Sequence, residues 1–172
     1  MKITFILCLF LIVPAIYAEE LPVFFDAGID SYMLSAQNTT LDLLKDKKES
    51  LDLGFHTYEF NLGDSHLIQF VVHPGSVRFE ISEIQIFEVR NRSSSYKYPG
   101  KGISKKGISL GISKQDLISK IGKPTKVTGD QYEYRSEFHD GILKNYNMPI
   151  YYGKYTFGKD KLISFSFGFE YP

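Results

Sequence analysis

The segment "ISFSFGFEY" (163–171) constrains the fold more than any other stretch of this chain. Ile163, Phe165, Phe167, Phe169 and Tyr171 share one parity, and Ser164, Ser166, Gly168 and Glu170 share the other. Successive strand residues point to opposite faces, so the pattern predicts a half-buried strand with one aromatic face. Two upstream segments repeat it. "QYEYR" sets Tyr132 and Tyr134 against charged neighbours, and "IYYGKYTF" sets Tyr151, Tyr155 and Phe157 on one parity. Three such strands make an antiparallel sheet whose aromatic face needs a cover. "FGKD" (157–160) holds a Gly-Lys-Asp turn between the last two.

The cover is read from "GISLGISKQDLISKIGKP" (107–124). Ser113 caps a helix over "KQDLISKI" by accepting a backbone N–H, and Asp116 three residues on bonds back to complete a capping box. Ile112 and Leu117 stand at the positions of a hydrophobic staple. Gly122 supplies a left-handed turn that stops the helix, and Pro124 prevents its resumption. Leu117, Ile118 and Ile121 form an apolar stripe toward the sheet. The glycines do not grip phosphate. A Walker loop opens a helix, whereas "GKPT" follows one, and Pro124 removes an N–H that a phosphate would need.

Read as Gly-Ile-x-Leu-Gly-x-Ser-Lys-x-x-Leu-x-x-x-Ile-Gly-x-Pro before a Tyr-rich strand, residues 107–124 resemble the SmpA/OmlA family. Those are small outer-membrane lipoproteins of the barrel-assembly machinery, with a fold shared by β-lactamase-inhibitor-type proteins. The resemblance covers 103–172. It implies an α+β domain, a short helix packed on a three-stranded antiparallel sheet, in a bacterial envelope protein. The chain departs from the family in lacking the lipidated cysteine and in carrying an extra β-rich N-terminal region.

That region, "FHTYEFNLGDSHLIQFVVHPGSVRFEISEIQIFEVR", reads as an antiparallel meander with turns at Gly63-Asp64 and Pro74-Gly75. Val77, Phe79 and Ile81 share one parity, but Ile84 and Ile86 take the other. A bulge near Ser82 or Glu83 accounts for the slip. "LDLLKDKKESLDL" is weakly helical, and residues 26–40 carry no clear pattern. "NRSSSYKYPGKG" (91–102) clusters Ser, Pro and Gly, and the charge balance reverses across it. Residues 19–100 carry 7 Lys+Arg against 13 Asp+Glu, and residues 101–172 carry 12 against 7. Either chance places these charges on solvated faces, or an acidic and a basic part attract each other or present different surfaces. The domain reading is therefore 1–18 signal peptide, 19–92 acidic β-rich region, 93–102 linker and 103–172 α+β domain.

The N-terminus "MKITFILCLFLIVPAIYAEE" joins a positive Lys2 to an apolar run ended by Pro14, with Ala18 before the expected cut. The run is too short to span a bilayer and reads as a secretory signal peptide, so the mature chain starts near Glu19 and is periplasmic or secreted. Cys8, the single cysteine, lies mid-run rather than at a lipidation site. The mature chain then has no thiol for disulfides, metal ligation or nucleophilic catalysis. Its neutral total charge argues against nucleic-acid binding.

His56, His66, His73 and His139 show no zinc spacing, and no Gly-x-Ser-x-Gly elbow occurs. "EFHDG" (137–141) places acids around His139, as either a general acid/base group or a polar loop. Asn38 and Asn91 stand in Asn-x-Ser/Thr, a glycan signal only in a eukaryotic secretory protein. Tyrosine suits contact surfaces, and the chain after 130 is rich in it, either as sheet core or as an interface. Tyr152 has the opposite parity from Tyr151 and Tyr155. Tyr152 and Tyr146 are the candidate protein-contact residues.

The expected function is a non-enzymatic, exported module that binds a protein partner, as an envelope accessory or inhibitor. It needs no catalytic residue, cofactor or metal, and has no membrane span or lipid anchor. Two alternatives stay open: a periplasmic immunity or inhibitor protein against a secreted enzyme, and a small hydrolase or ligand-binding protein.

Overall fold

A computed structural model of the chain describes residues 22–35, 56–72, 80–89, 94–137, 148 and 150–170. The expected signal peptide with Cys8, the 41–53 segment, the Pro74-Gly75 turn, His73, His139, Asn38, Asn91, Tyr146 and Tyr171 lie outside the described residues. A small hairpin pairs β1 (Gly28–Ile29) with β2 (Tyr32–Met33). The main sheet contains β3 (His56–Leu62), β4 (His66–Val72), β5 (Ile81–Glu88), β6 (Lys126–Thr128), β7 (Gln131–Glu137), β8 (Ile150–Gly158) and β9 (Lys161–Glu170). Helix α1 spans Lys114–Ile121. Among the described residues no helix is long and apolar enough to cross a membrane.

The α+β expectation, a short helix on a three-stranded antiparallel sheet preceded by a β-meander, is corrected here. The described residues are mostly β, with a seven-stranded antiparallel sheet in the order β3-β4-β5-β9-β8-β7-β6. The physical reason lies at the β5–β9 pairing. A three-stranded C-terminal sheet would leave β9 as a bare edge of unpaired N–H and C=O groups. Instead Ile84 and Ile86 of β5 stand opposite Phe167 and Phe165 of β9. The apolar face of the meander and the aromatic face of the C-terminal strands thus become one surface. Gly168 makes the join possible, because a Cβ there would lie 2.6 Å from Glu83 Cα.

Residues 94–98, within the stretch expected to be a linker, close the outer edge of β3. The Asn61 N–H donates to the Tyr96 carbonyl at 2.7 Å, and the Tyr98 N–H donates to the Asn61 carbonyl at 2.8 Å. The Asn61 side chain bonds both the N–H and the carbonyl of Ser94, at 2.9 and 2.6 Å. Tyr98 then turns its ring into the core against Phe60 and Phe70.

Two bulges set the parities. Val71 pairs with Glu83 and Val72 with Ile81, so Ser82 is the extra residue, and its hydroxyl donates to the Val71 carbonyl at 2.9 Å. This is the slip read from the sequence, and it lets Ile81, Ile84 and Ile86 all be buried. The second was not foreseen. Thr156 pairs with Ser164 but Phe157 pairs with Leu162, which expels Ile163. Ile163, expected beside Phe165 in the core, is exposed, and Leu162 takes its place. The β8–β9 turn holds Lys159 and Asp160 at φ of 50° and 63°, as a two-residue type I′ turn requires.

One face of the sheet carries the core, including Phe60, Phe70, Ile86, Phe167, Tyr151 and Tyr155. Its cover is a layer of three parts: residues 22–35, residues 103–112 and α1. Helix α1 follows from its sequence signals. Ser113 accepts from the Asp116 N–H at 3.1 Å and Asp116 accepts from the Ser113 N–H at 3.1 Å. Leu117 and Ile121 are buried, whereas Ile118 is only half-buried. Gly122 stops the helix with φ of 80°, but its ψ of −172° is extended rather than the helical left-handed value expected. Glycine alone visits that region routinely.

Candidate functional site on the polar face of the sheet

The alternation that drives one face into the core leaves the other polar. Glu59, Gln69, Gln85, Ser166, Lys154, Glu133 and Lys126 stand directly opposite one another in turn, a polar row crossing all seven strands. Beside it runs the row Val71, Glu83, Gly168, Tyr152 and Arg135. Tyr152 therefore lies on the face opposite Tyr151 and Tyr155, which are buried at 1% and 0% exposure. Tyr132 is half-buried and Tyr134 fully buried on the core face, so among the described residues most of the C-terminal tyrosine is core.

Tyr152 is half-buried and fixed in place. Gly168 separates it from Glu83 along the row, and the missing side chain lets the phenol reach across β9. The hydroxyl interacts with the Glu83 carboxylate and the Ser166 hydroxyl, and burial followed by the Glu83 charge pushes its pKa well up. The Lys154 amine lies 5.1 Å from the ring centroid, a cation–π distance. Gln85 donates to Glu83 at 2.6 Å, Gln69 donates to Glu59 at 2.9 Å, and Arg135 pairs with Glu170 at 2.6 Å.

Beside Tyr152 the face dips into a depression of about 180 Å³, lined by Gln85, Phe87, Gln131, Lys154, Thr156, Ser164 and Ser166 among others. Its floor is the β8–β9 ladder, where Thr156 meets Ser164 and Lys154 meets Ser166. Glu83 and Glu170 nearby are already engaged, by Gln85 and by Arg135. The lysine has no ion pair among the described residues, although Glu133 stands opposite it on β7.

The core face holds a second polar feature, Asp26, fully buried. One carboxylate oxygen accepts from the Lys105 N–H at 3.1 Å and the Gly28 N–H at 3.5 Å, and the other from the Lys106 N–H at 3.3 Å. Burial raises its pKa, opposed by the Ser104 hydroxyl and these amides. The bonds to Lys105 and Lys106 fasten residues 22–35 to 104–108, so Asp26 is a structural anchor. Tyr151 completes it, its hydroxyl accepting from the Asp26 N–H at 2.8 Å. The Tyr155 hydroxyl beneath is buried with no hydrogen-bond partner among the described residues.

The Ser65 hydroxyl lies 3.0 Å from Nδ1 of His66 at a surface turn. Among the described residues no three His, Cys, Asp or Glu side chains come together as a metal site would. Ser113 is occupied as the helix cap. Sequence parity located Tyr152. It did not reveal the Lys154–Ser164–Thr156 depression, because that grouping depends on which strands pair and in what register. Comparison with protein-family models, with curated proteins and with solved structures finds no match to any of them.

Proposed function

We propose that the chain is an exported, non-enzymatic module of the bacterial envelope that binds another protein through the polar face of its sheet. The observation that carries this reading is the depression beside a fixed Tyr152. Small-molecule pockets run to roughly 300–1,000 Å³, so about 180 Å³ suits one or two side chains of a docked surface. A clamped tyrosine beside a shallow polar depression offers a partner a large ring with little rotamer entropy left to lose. The resemblance of residues 107–124 to envelope proteins that dock on others supports the same reading. An inhibitor of a secreted enzyme would be one form of it.

The test is photo-crosslinking from single sites in the producing cell. A photoreactive residue at Thr156 or Lys154 is expected to give one discrete protein adduct, and one at the exposed Gln115 of α1 to give none. Tyr152→Ala should weaken that complex by about thirtyfold, the equivalent of roughly 2 kcal/mol. Adducts from Gln115 alone, or an unchanged complex in Tyr152→Ala, would place the interface elsewhere.

A further inference from the structure

The layer that covers the core carries a charge pattern unrelated to the polar face. Residues 101–126 contain seven lysines, no arginine and one acid, Asp116. Asp116 is held in the capping box, and Lys114 is paired with Asp130 at 2.8 Å. Lys105, Lys106, Lys120 and Lys123 are exposed and form no ion pair among the described residues.

The fold brings the segments that carry these four together. Asp26 binds the backbone of Lys105 and Lys106. The Lys120 amine lies over Gly107, 3.2 Å from where a Cβ would stand. The Tyr134 hydroxyl donates to the Gly122 carbonyl at 2.9 Å, and Phe24 packs on the Tyr134 ring at 5.8 Å, so Tyr134 links the turn at residues 22–25 to the helix end that precedes Lys123. On that turn Val23 is 63% exposed, the most exposed large apolar residue described. An exposed aliphatic side chain thus lies on the same part of the cover as four exposed lysines that form no ion pair among the described residues.

We propose that this corner is a contact for anionic lipid headgroups, with Val23 entering the interface and the four lysines held at the phosphates. The composition selects this partner over a protein. Protein interface centres are depleted in lysine and enriched in aromatics and arginine, whereas clustered lysines near an apolar projection match a membrane surface. The absence of arginine fits too, since a fixed phosphate is recognised by a bidentate guanidinium and mobile headgroups need only point charges. Contact here leaves the polar face, on the other side of the sheet, turned away from the lipid.

The chain contains no tryptophan, so Val23→Trp introduces a single reporter. The mature chain recovered from its producing cell is mixed with vesicles of phosphatidylcholine alone, or of an equimolar phosphatidylcholine–phosphatidylglycerol mixture. The introduced tryptophan should shift its emission to the blue on the anionic vesicles only, and the effect should fade with added salt. The unsubstituted chain should co-sediment with the same vesicles. Each Lys→Gln at 105, 106, 120 or 123 should lower the partition by about fivefold, while Lys154→Gln on the far face leaves it unchanged. Glu19 and Glu20 stand shortly before Val23 in the sequence, so neutralising both should strengthen binding. Partition indifferent to the four lysines would overturn the proposal. So would tight binding of soluble polyglutamate without any emission shift on vesicles, which would make the corner a site for an acidic protein.

Discussion

Gly168→Ala probes the point where the two halves of the chain become one sheet. Gly168 stands opposite Glu83, and an added Cβ would lie 2.6 Å from Glu83 Cα and 2.9 Å from Glu83 Cβ, with the Ser82 carbonyl oxygen closer still. Two of these neighbours are backbone atoms held in the ladder, so no side chain can swing aside. Overpacking typically costs about 1–3 kcal/mol, and backbone obstruction puts this site at or above the upper figure. For a domain of this size about 3 kcal/mol lowers the melting temperature by roughly 6–12 °C. The control is Gly129→Ala, where nothing lies within 4 Å and only the φ of 59° opposes the change. It should cost on the order of 1 kcal/mol. The assay is urea denaturation followed by amide hydrogen exchange in β3–β4 and in β7–β8. One sheet predicts that both pairs lose protection together in Gly168→Ala. Protection lost in β7–β8 while β3–β4 keeps its own, or a midpoint equal to that of the Gly129 variant, would refute a sheet continuous through β5 and β9.

Four further outcomes are expected. Asp26→Asn should cost about 1–3 kcal/mol by urea denaturation, because its amide turns a donor toward the Lys105 or Lys106 N–H. Burial raises the Asp26 pKa, so the folded chain holds that proton more tightly than the unfolded one; this group's contribution to stability rises as pH falls through its folded pKa toward 3.8. Asp116 has the opposite sign: its pKa is lowered first by the Ser113 hydroxyl, so its contribution is present above 3.8 and lost as pH falls through the lower folded value. A stability–pH curve of Asp26→Asn should lack the first component and keep the second. Gly122→Val meets open space but a forbidden backbone, and should cost roughly 1–3 kcal/mol, against about 1 kcal/mol for Ser113→Ala; an unchanged melting temperature would remove Gly122 as the helix stop. Lys159→Asn with Asp160→Gly should raise stability by about 1 kcal/mol, since both positions sit at positive φ in a turn that favours Asn-Gly. Phe167→Ala, fully buried between Ile84 and Phe165, should cost about 3–5 kcal/mol, whereas Tyr152→Ala on the polar face should cost far less.

Local rules made much of this molecule legible. The period of two gave β7, β8 and β9 and the faces of Tyr134, Tyr151, Tyr155, Phe165, Phe167 and Phe169. The capping box fixed α1 to within its own residues, because every signal it needs lies within a dozen positions. The slip between Ile81 and Ile84 gave away the Ser82 bulge. Where the pattern is interrupted without an aliphatic clue, the reading failed. Leu162 and Ile163 are adjacent and both apolar, so either could continue the alternation, and only the shift at Phe157 decides for Leu162. Residues 22–35 have no periodicity because their strands are two residues long and their order comes from Asp26 and Asp30, whose carboxylates bind amides some 70–80 positions away.

The architecture itself was hidden for a related reason. Nothing local distinguishes a strand that ends a sheet from one that joins two, and β5 and β9 meet across about 80 residues of chain. The consequence reaches the candidate site. On a three-stranded sheet Tyr152 would face open water on β8, next to the edge. On the seven-stranded sheet β9 and β5 supply Ser166 and Glu83 to hold its hydroxyl, and Gly168 leaves the gap through which the ring reaches them. The parity of one strand placed the tyrosine on a face. Long-range pairing turned it from a free side chain into a positioned one beside a depression, and positioning is what a contact residue needs to bind without first losing its own freedom.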